Sequence, residues 1–177
     1  GVVAQQDNYC KSGFQFAHRN VRYGGISPGT DWTTHCVTLA SLSPTVVIDY
    51  DRRFFPEARA GFTQAWIGHP QHHGVGMLHD ENLVGYGVLR PCQQGYKIGP
   101  LFADGEAIAA EIFQALMAHV PAGERFYLDV PETNQAAVAL AQQHGMTYVF
   151  ETARMYTQAA PNLPLENIFG ITTFELG

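Results

Sequence analysis

Several features that nucleic-acid-binding and membrane proteins use are missing from this sequence. Its 177 residues include 10 Lys and Arg against 16 Asp and Glu, which gives a net charge of −6, and the basic residues form no run. A basic patch for nucleic acid or an anionic membrane surface is therefore excluded. The sequence also has no run of about 18 apolar residues that could cross a bilayer, and no basic-then-apolar leader at its start. We predict a soluble, cytoplasmic protein that binds neither nucleic acid nor membrane.

Cysteine is scarce as well. The three cysteines, Cys10, Cys36 and Cys92, are scattered and show no C-x-x-C spacing. Such a set is typical of reduced thiols in a cytosolic protein and excludes a disulfide framework. One stretch is rich in histidine, but its adjacent His72 and His73 would point to opposite sides of an extended chain. This pattern favours a polar loop over a zinc site, so we predict no metal.

The signatures of common enzyme classes are also missing: no G-x-S-x-G, Walker loop or H-E-x-x-H is present. What the sequence does contain is 46% apolar and only 15% charged residues, at about the length of one domain. This composition is typical of a folded globular chain.

The residue pattern predicts an α/β domain. Apolar residues recur every three to five positions between Asp104 and Val120, which indicates a helix. A second, Ala-rich helix is predicted from Asn134 to Gly145, since glycine commonly follows a helix end. Further helices are predicted at 47–55 and 57–67. Strands are predicted at 36–42, 74–78, 83–89 (which overlaps the apolar run 85–90), 96–102, 125–130, 147–156 and 168–176. Strands joined through helices pair in parallel, so at least part of the sheet is expected to be parallel.

The order of these elements from 36 to 156 resembles the Gcn5-related N-acetyltransferase (GNAT) fold. The family often has Asn, Ala, Tyr and Gly-Phe in a fixed register, which here falls on Asn134, Ala137, Ala141, Gly145 and Met146. The resemblance implies a mixed, mostly antiparallel sheet flanked by helices. It also implies acyl transfer from acetyl-CoA to the amine of a small-molecule or amino-acid-like acceptor.

A weak internal repeat extends the resemblance to the start of the chain. The stretch from Tyr9 to Gly13 matches that from Ala141 to Gly145, and an arginine and a tyrosine follow each glycine at similar distances. Since the first residue is glycine, we expect a fragment that resembles the C-terminal portion of bacterial proteins with two GNAT-like domains in tandem. Residues 1–25 would be the last helix and strand of the preceding copy, 26–35 a linker, and 36–177 the GNAT-like domain. Because the strand after Gly13 would have lost its own sheet, its free edge predicts a homodimer.

The loop that holds the pyrophosphate of acetyl-CoA in this family is altered. The family pattern, Arg/Gln-x-x-Gly-x-Gly/Ala, uses backbone amides at a helix N-terminus. Here Ala103 takes the arginine position, and Asp104, Glu106 and Ile108 take the glycine positions. Each carboxylate at about 5 Å from a phosphate would cost about 1 kcal/mol or more. No cofactor-binding residue is assigned, and acetyl-CoA or CoA is expected to bind the missing N-terminal copy.

The tyrosine that serves this family as general acid is also absent from its position, which is Ala141. In the repeat, Tyr9 takes the equivalent place, so Tyr9 is the candidate catalytic residue; the alternative is an aromatic ring that packs on its neighbours.

Four residues near one end of the predicted sheet are candidate substrate-binding residues. Asp129 and Asn134 bracket a turn at the carboxyl end of a strand, where ligands of α/β proteins tend to bind. Arg154 and Tyr156 lie on the following strand and could line the same cleft. The alternatives are a helix cap for Asn134, a turn for Asp129 and a surface ion pair for Arg154. The charged residues of 49–53, Asp51 among them, are interpreted as a solvated helix face.

Two functions remain open. The chain is either the C-terminal GNAT-like part of an N-acetyltransferase, or a non-catalytic GNAT-like module for ligand binding or dimerisation.

Overall fold

The computed structural model describes residues 1–29, 31 and 35–176. Its helices are α1 Gln6–Lys11, α2 Pro44–Asp51, α3 Ala60–Ile67, α4 Glu106–Met117 and α5 Gln135–Gln143. Its strands are β1 Gln15–Ile26, β2 Val37–Thr38, β3 His73–His79, β4 Asn82–Pro91, β5 Tyr96–Ala103, β6 Arg125–Pro131, β7 Thr147–Tyr156 and β8 Ile168–Gly170. Short 3₁₀ turns cover Val3–Gln5, Leu39–Ser41, Arg52–Phe54 and Leu165–Asn167.

All of these strands belong to one sheet, in the order β2-β3-β4-β5-β6-β1-β7, with β8 paired to β5. Neighbouring strands are antiparallel except β5 and β6, which are parallel. The α/β fold with a mixed, mostly antiparallel sheet and flanking helices is therefore confirmed. The parallel pair is the one joined through a long helix, α4, as a crossover connection requires.

The strand after Gly13 does not have the free edge that the sequence predicted. β1 lies between β6 and β7 and is hydrogen-bonded on both sides. The argument for a homodimer through β1 is therefore wrong, because the pairing groups of this strand are already used. The strand at that end of the sheet order is β7.

The predicted linker, 26–35, overlaps β1 by one residue, because the strand extends to Ile26. Gly24 and Gly25 still belong to β1, opposite Tyr127 and Phe126. A Cβ atom at Gly25 would lie 2.8 Å from the ring of Phe126, so glycine is needed here for close packing within the sheet rather than for flexibility. Of the linker assigned to 26–35, residues 30 and 32–34 lie outside the described part of the chain.

Most other predicted elements are present: the four predicted helices are shorter than expected, β3 to β6 are slightly longer, and β7 has the predicted bounds. The strand predicted at 36–42 is reduced to β2, because Leu39–Ser41 turns into a 3₁₀ helix. The final strand predicted at 168–176 is β8 alone.

Apolar side chains are buried on both faces of the sheet. On one face, α4 contributes Ile112, Phe113 and Leu116, each with no exposed surface, and α5 contributes Ala137 and Ala141. On the other face, α2 and the turn after it pack Val47, Tyr50 and Phe54 against the sheet. The flanking helices thus fix the carboxyl ends of β5 and β6 between two packed layers. No helix in the described ranges has the length and hydropathy needed to span a bilayer.

Candidate functional site

The carboxyl ends of the parallel strands β5 and β6 separate and form a crevice. The two strands are paired only from Tyr96–Ile98 to Phe126–Leu128. Beyond this point β8 lies between them: it pairs antiparallel with β5, and Ile171 N donates to Asp129 O on β6 at 2.9 Å. Crevices at the carboxyl ends of parallel strands are the usual ligand sites of α/β folds. Here the protein's own C-terminal segment fills the crevice.

Asn134 holds this segment in place. Its side chain is 4% exposed; the oxygen Oδ1 accepts a hydrogen bond from Ala137 N, which caps α5. Its Nδ2 donates to the carbonyl oxygens of Leu165, Glu166 and Ile168 at 3.0–3.2 Å. The alternative of a helix cap therefore describes Asn134, with an additional clamp on residues 165–168. The segment is also bonded to the opposite wall of the crevice, since Asn167 Nδ2 donates to Ala103 O at the end of β5, at 2.8 Å.

The N-terminus of α4 lies beside this crevice and is acidic. A surface depression there is lined by Asp104, Glu106 and Glu166 together with the start of α5. The carboxylate of Asp104 accepts hydrogen bonds from Arg53 at 2.8 and 3.2 Å and from the Tyr50 hydroxyl at 3.0 Å. Asp104 thereby raises the pKa of Arg53, and burial followed by Asp104 raises the pKa of Tyr50. The residues at this end of the sheet do not fit acetyl-CoA. The carboxylates lie where its pyrophosphate would bind and would repel it, and the crevice is filled by the C-terminal segment.

Asp129 is bonded within the protein rather than aimed into a cleft. Its carboxylate has no exposed surface and accepts two hydrogen bonds from Arg22, at 2.7 and 2.9 Å, and one from Lys97. Burial lowers the pKa of Lys97, and Asp129 opposes that shift. The Arg22 guanidinium group lies 4.8 Å from the ring centres of both Phe150 and Phe174. Asp129 is therefore the shared anionic partner of the buried Lys97 and the partly exposed Arg22, between β5, β6 and β1.

Arg154 lines two adjoining recesses. The larger, of about 200 Å³, is lined by Tyr9, Asn20, Arg154, Phe174 and Glu175 among others. We name it the Arg154 recess. Arg154 is half-buried; its Nε donates to the Tyr156 hydroxyl at 2.9 Å, and its NH1 group lies 3.4 Å from Leu176 O. The structure thus brings together Tyr9, Arg154 and Tyr156, three of the five predicted site residues, and places Asp129 and Asn134 in other contacts.

A narrow apolar slot of about 30 Å³ continues from Arg154 and Asn20 towards His18 and Tyr156. Its walls include Phe54, Phe55, Phe102, Leu163 and Leu165. The pKa of His18 is lowered, first by burial and then by Arg154, while Glu132 and the Asn20 side chain act in the opposite direction. The Asn20 side chain is 3% exposed, and its Oδ1 has no hydrogen-bond partner among the described residues. A neutral imidazole and an unsatisfied amide oxygen therefore adjoin the Arg154 recess.

Opposite charges line the Arg154 recess. Glu175 is exposed, and a hydrogen bond from Thr173 is the largest of the causes that lower its pKa, so it is ionised at neutral pH. Arg154 supplies the positive charge, and Tyr9 supplies a phenol whose ring lies 5.8 Å from that of Phe14. Such a recess suits a small molecule that carries both an ammonium group and an anionic group.

Sequence reasoning missed His18, Asn20 and Glu175. None of the three belongs to a recognisable motif. Only the folded structure, which brings the two ends of the chain together, shows that they lie beside Arg154 and Tyr9. Asp51 was also misread as part of a solvated face. It is 2% exposed and bonded to Arg59 at 2.7 Å, to Thr63 at 3.0 Å and to Tyr86 at 2.5 Å. Among the described residues, no group of three His, Cys, Asp or Glu side chains is arranged to hold a metal.

Comparison with known proteins agrees with this architecture. The model of the Acetyltransferase (GNAT) domain family matches residues 47–170. The chain therefore belongs to the GNAT acetyltransferase family, whose fold generally uses acetyl-CoA.

The chain is similar to longer proteins. It is 26% identical to holothin acyltransferase of Pseudoalteromonas sp. (strain SANK 73390), over 100% of this chain and 60% of that protein. Its fold matches a putative acetyltransferase from Pyrococcus horikoshii with a TM-score of 0.81 at 20% identity, over 100% of this chain and 58% of the other. A putative GNAT-family acetyltransferase from Novosphingobium aromaticivorans matches with a TM-score of 0.57 at 17% identity, over 81% and 65%. The chain thus spans about three fifths of the first two relatives.

Proposed function

We propose that this chain is the C-terminal GNAT-like part of an N-acyltransferase, and that the Arg154 recess binds the acceptor, a small amino-acid-like amine. One observation supports this assignment above the others: Arg154, Glu175 and Tyr9 line one recess of about 200 Å³. Arg154 binds the anionic group of the acceptor and Glu175 its ammonium group. The relative named as an acyltransferase aligns with every part of this chain.

The acyl donor, acetyl-CoA or a related thioester, binds another copy of the fold in the same protein. Residues 165–171 occupy the crevice of this copy, and Asp104, Glu106 and Glu166 lie where a pyrophosphate would need positive charge. Ala141 takes the place of the family's tyrosine and is fully buried in the core, so this copy has no phenol at that position.

The residues around the recess have the groups that acyl transfer needs. The amine nitrogen attacks the thioester carbonyl carbon, so a C–N bond forms and the C–S bond breaks. Before attack the ammonium group must lose a proton, and the neutral imidazole of His18 can accept one at neutral pH. The departing thiolate takes a proton from the hydroxyl of Tyr9, and the resulting phenolate takes up the second proton, which the nitrogen loses as the amide forms. Acetyl-CoA itself contributes only the activated acyl group.

Two measurements test this proposal. In calorimetric titration of the 177-residue chain, acetyl-CoA and CoA at millimolar concentration should give no binding heat. Thiol release by the longer natural protein, with acetyl-CoA and a panel of amino acids and simple amines, should be fastest with an acceptor that carries an anionic group. Micromolar binding to the 177-residue chain would move the donor site back into this copy.

The filled crevice also favours a second candidate, a non-catalytic GNAT-like module for ligand binding or dimerisation. This candidate predicts no thiol release with any amine, but saturable binding of an amino-acid-like ligand at Arg154. In either case Cys10 and Cys92 are free thiols, which suits a cytoplasmic location.

A further inference from the structure

The outer edge of β7 is bonded to the first two residues of the chain. Gly1 N donates to Ala153 O at 2.6 Å, and Ala153 N donates to Gly1 O at 2.8 Å. Val2 forms an antiparallel bridge with Thr152. These two residues therefore have the hydrogen bonds of a strand that ends beside β7.

The turns that lead into β1 and β7 have the same geometry, 132 positions apart. After α1, Phe14 N donates to Tyr9 O at 3.0 Å; after α5, Met146 N donates to Ala141 O at 3.1 Å. The glycine of each turn has a positive φ, 85° at Gly13 and 68° at Gly145. The weak sequence repeat thus corresponds to a repeated structure, as the left-handed glycine turn after each helix shows.

The ladder between β1 and β7 is symmetric under the same shift. His18 lies opposite Arg154, and Arg22 lies opposite Phe150. The residue 132 positions after His18 is Phe150, and the residue 132 positions before Arg154 is Arg22. The shift therefore converts the first pair into the second. At the centre, Asn20 lies opposite its own equivalent, Thr152. A local two-fold axis therefore passes between Asn20 and Thr152.

This axis also relates the strands on the outer sides of β1 and β7. On one side, Val130 and Pro131 of β6 lie opposite Val21 and Asn20. Ala153 and Thr152 are the equivalents of Val21 and Asn20, 132 positions later. On the other side of the axis, Gly1 and Val2 lie opposite Ala153 and Thr152.

The helices that follow these strands obey the same relation. α5 begins at Gln135, four positions after Pro131, and α1 begins at Gln6, four positions after Val2. Residues 1–2 are therefore the structural equivalents of the last two residues of β6.

From this symmetry we propose that the outer edge of β7 is the junction with a second GNAT-like copy, N-terminal in the same polypeptide. The equivalent of β6 in that copy runs antiparallel along β7 up to Val2. Its helix is α1 and its last strand is β1, so β1 and β7 are exchanged between the two copies at the centre of one continuous sheet.

The length of the relatives fits this occupant. The Pyrococcus horikoshii chain superposes on all of this chain, residues 1–26 included, and about two fifths of it lies outside the match. That remainder is large enough for most of one further domain.

The proposed strand would cover the part of β7 beyond Ala153, which contains Arg154 and Tyr156. Arg22, the equivalent of Arg154, lies opposite Asp129 on β6 and binds it. By the same relation, Arg154 lies opposite a residue of the second copy. The Arg154 recess is therefore completed at the junction, which is a common place for ligand sites.

The test is amide hydrogen exchange at Met155, followed by NMR in the longer natural protein and in the 177-residue chain. Because alternate residues of a strand bond to the same side, and Ala153 bonds outward, the Met155 amide also faces outward. The second copy should slow its exchange by roughly 100-fold or more, since exchange must then await opening of the ladder. The Ala153 amide is the matched control, because its acceptor, Gly1 O, is present in both chains.

Equal exchange of Met155 in both chains overturns the proposal. So does protection that appears in the 177-residue chain as its concentration rises, which would indicate a homodimer through β7. A natural gene without a strand-helix-strand copy before Gly1 also overturns it. The proposal rests on the tandem organisation proposed above. Thiol release measured on the same sample distinguishes failure of the junction from failure of the acyl-transfer function. Protection without thiol release keeps the junction and refutes the acyl-transfer function.

Discussion

The carboxylate of Asp51 and the guanidinium group of Arg59 are joined by two hydrogen bonds of 2.7 Å each, although Asp51 is only 2% exposed. The Tyr86 hydroxyl donates to the same carboxylate, and burial followed by Asp51 raises the pKa of Tyr86 well above its ordinary value. Arg59 also donates to the Thr172 hydroxyl at 3.2 Å. This cluster therefore connects α2, α3 and β4 to the C-terminal segment.

We expect Asp51→Asn to lower the free energy of unfolding by about 3 kcal/mol, because it leaves the Arg59 charge without its partner in a buried place. Urea unfolding of the 177-residue chain measures this loss. Asp49→Asn, on the exposed side of the same helix, is the control and should change stability by less than about 0.5 kcal/mol. Equal effects of the two variants would contradict a buried ion pair.

Asn134→Ala should lower the free energy of unfolding by about 3 kcal/mol, since it removes a helix cap and the donor to three carbonyl groups. Asn134→Asp separates the two roles, because a carboxylate can still cap α5 but cannot donate to the segment. In that variant, hydrogen exchange should accelerate at 165–171 while α5 stays protected. If 165–171 exchanges as in the wild type, Asn134 is not a clamp.

Gly99→Ala should displace the C-terminal segment from β5. A Cβ atom at Gly99 would lie 2.6 Å from Thr172 O and 2.7 Å from Ile171 O. Such overpacking costs about 1–3 kcal/mol, measured by thermal or urea unfolding. Gly61→Ala is the matched substitution in α3, where nothing lies within 4 Å of the new methyl group. It should stabilise the protein by about 0.5–1 kcal/mol, so the two substitutions are expected to have opposite signs.

Protonation of His18 should destabilise the fold as the pH falls. Its folded-state pKa is lowered from the ordinary value of 6.5. Between the two pKa values the unfolded chain binds more protons, so stability rises with pH in this window and is lost on acidification below about 6.5. His18→Gln should make the loss of stability below pH 6.5 less steep. NMR titration of the ring gives the pKa directly: a value of 6.5 would abolish the expected effect, and a value above 6.5 would reverse its sign.

In the tandem acyltransferase proposed above, Arg154→Gln and Glu175→Gln should each raise the KM for the acceptor by about 10-fold or more, because each removes one charged contact. The KM for acetyl-CoA should stay within about twofold. Glu124→Gln, at an exposed position outside the recess, is the control. An unchanged acceptor KM in both variants would place the acceptor elsewhere.

The sequence predicted those elements whose signals are local. The helices α4 and α5 have an apolar face, a cap or a terminal glycine, and strands such as β6 and β7 are short alternating runs between turn residues. The position of β1 could not be predicted in this way, because both of its neighbours follow it by more than a hundred residues. The same applies to the Arg154 recess, whose lining comes from both ends of the chain.

Asp51 and Asn134 show a second limit. The sequence pattern predicts a solvated helix face for Asp51, and for Asn134 it predicts substrate binding or, alternatively, a helix cap. In the structure both side chains are buried and bonded to other parts of the protein. Burial depends on which distant segment of the chain covers the residue. For Asn134 that segment is 165–168, which no local pattern associates with the start of α5.

The central place of β1 has a consequence for how the protein is made. β1 leaves the ribosome before both of its neighbours: the Asp129 carboxylate that binds its Arg22 is 107 positions later, and the Glu151 carboxylate that binds its Arg19 is 132 positions later. Until β6 and β7 have been synthesised, the backbone groups of β1 lack the partners that they have in this sheet. Non-local pairing of this kind slows folding and leaves an intermediate prone to aggregation. We therefore expect the middle of the sheet to form last, and the nascent chain to depend on chaperones until then.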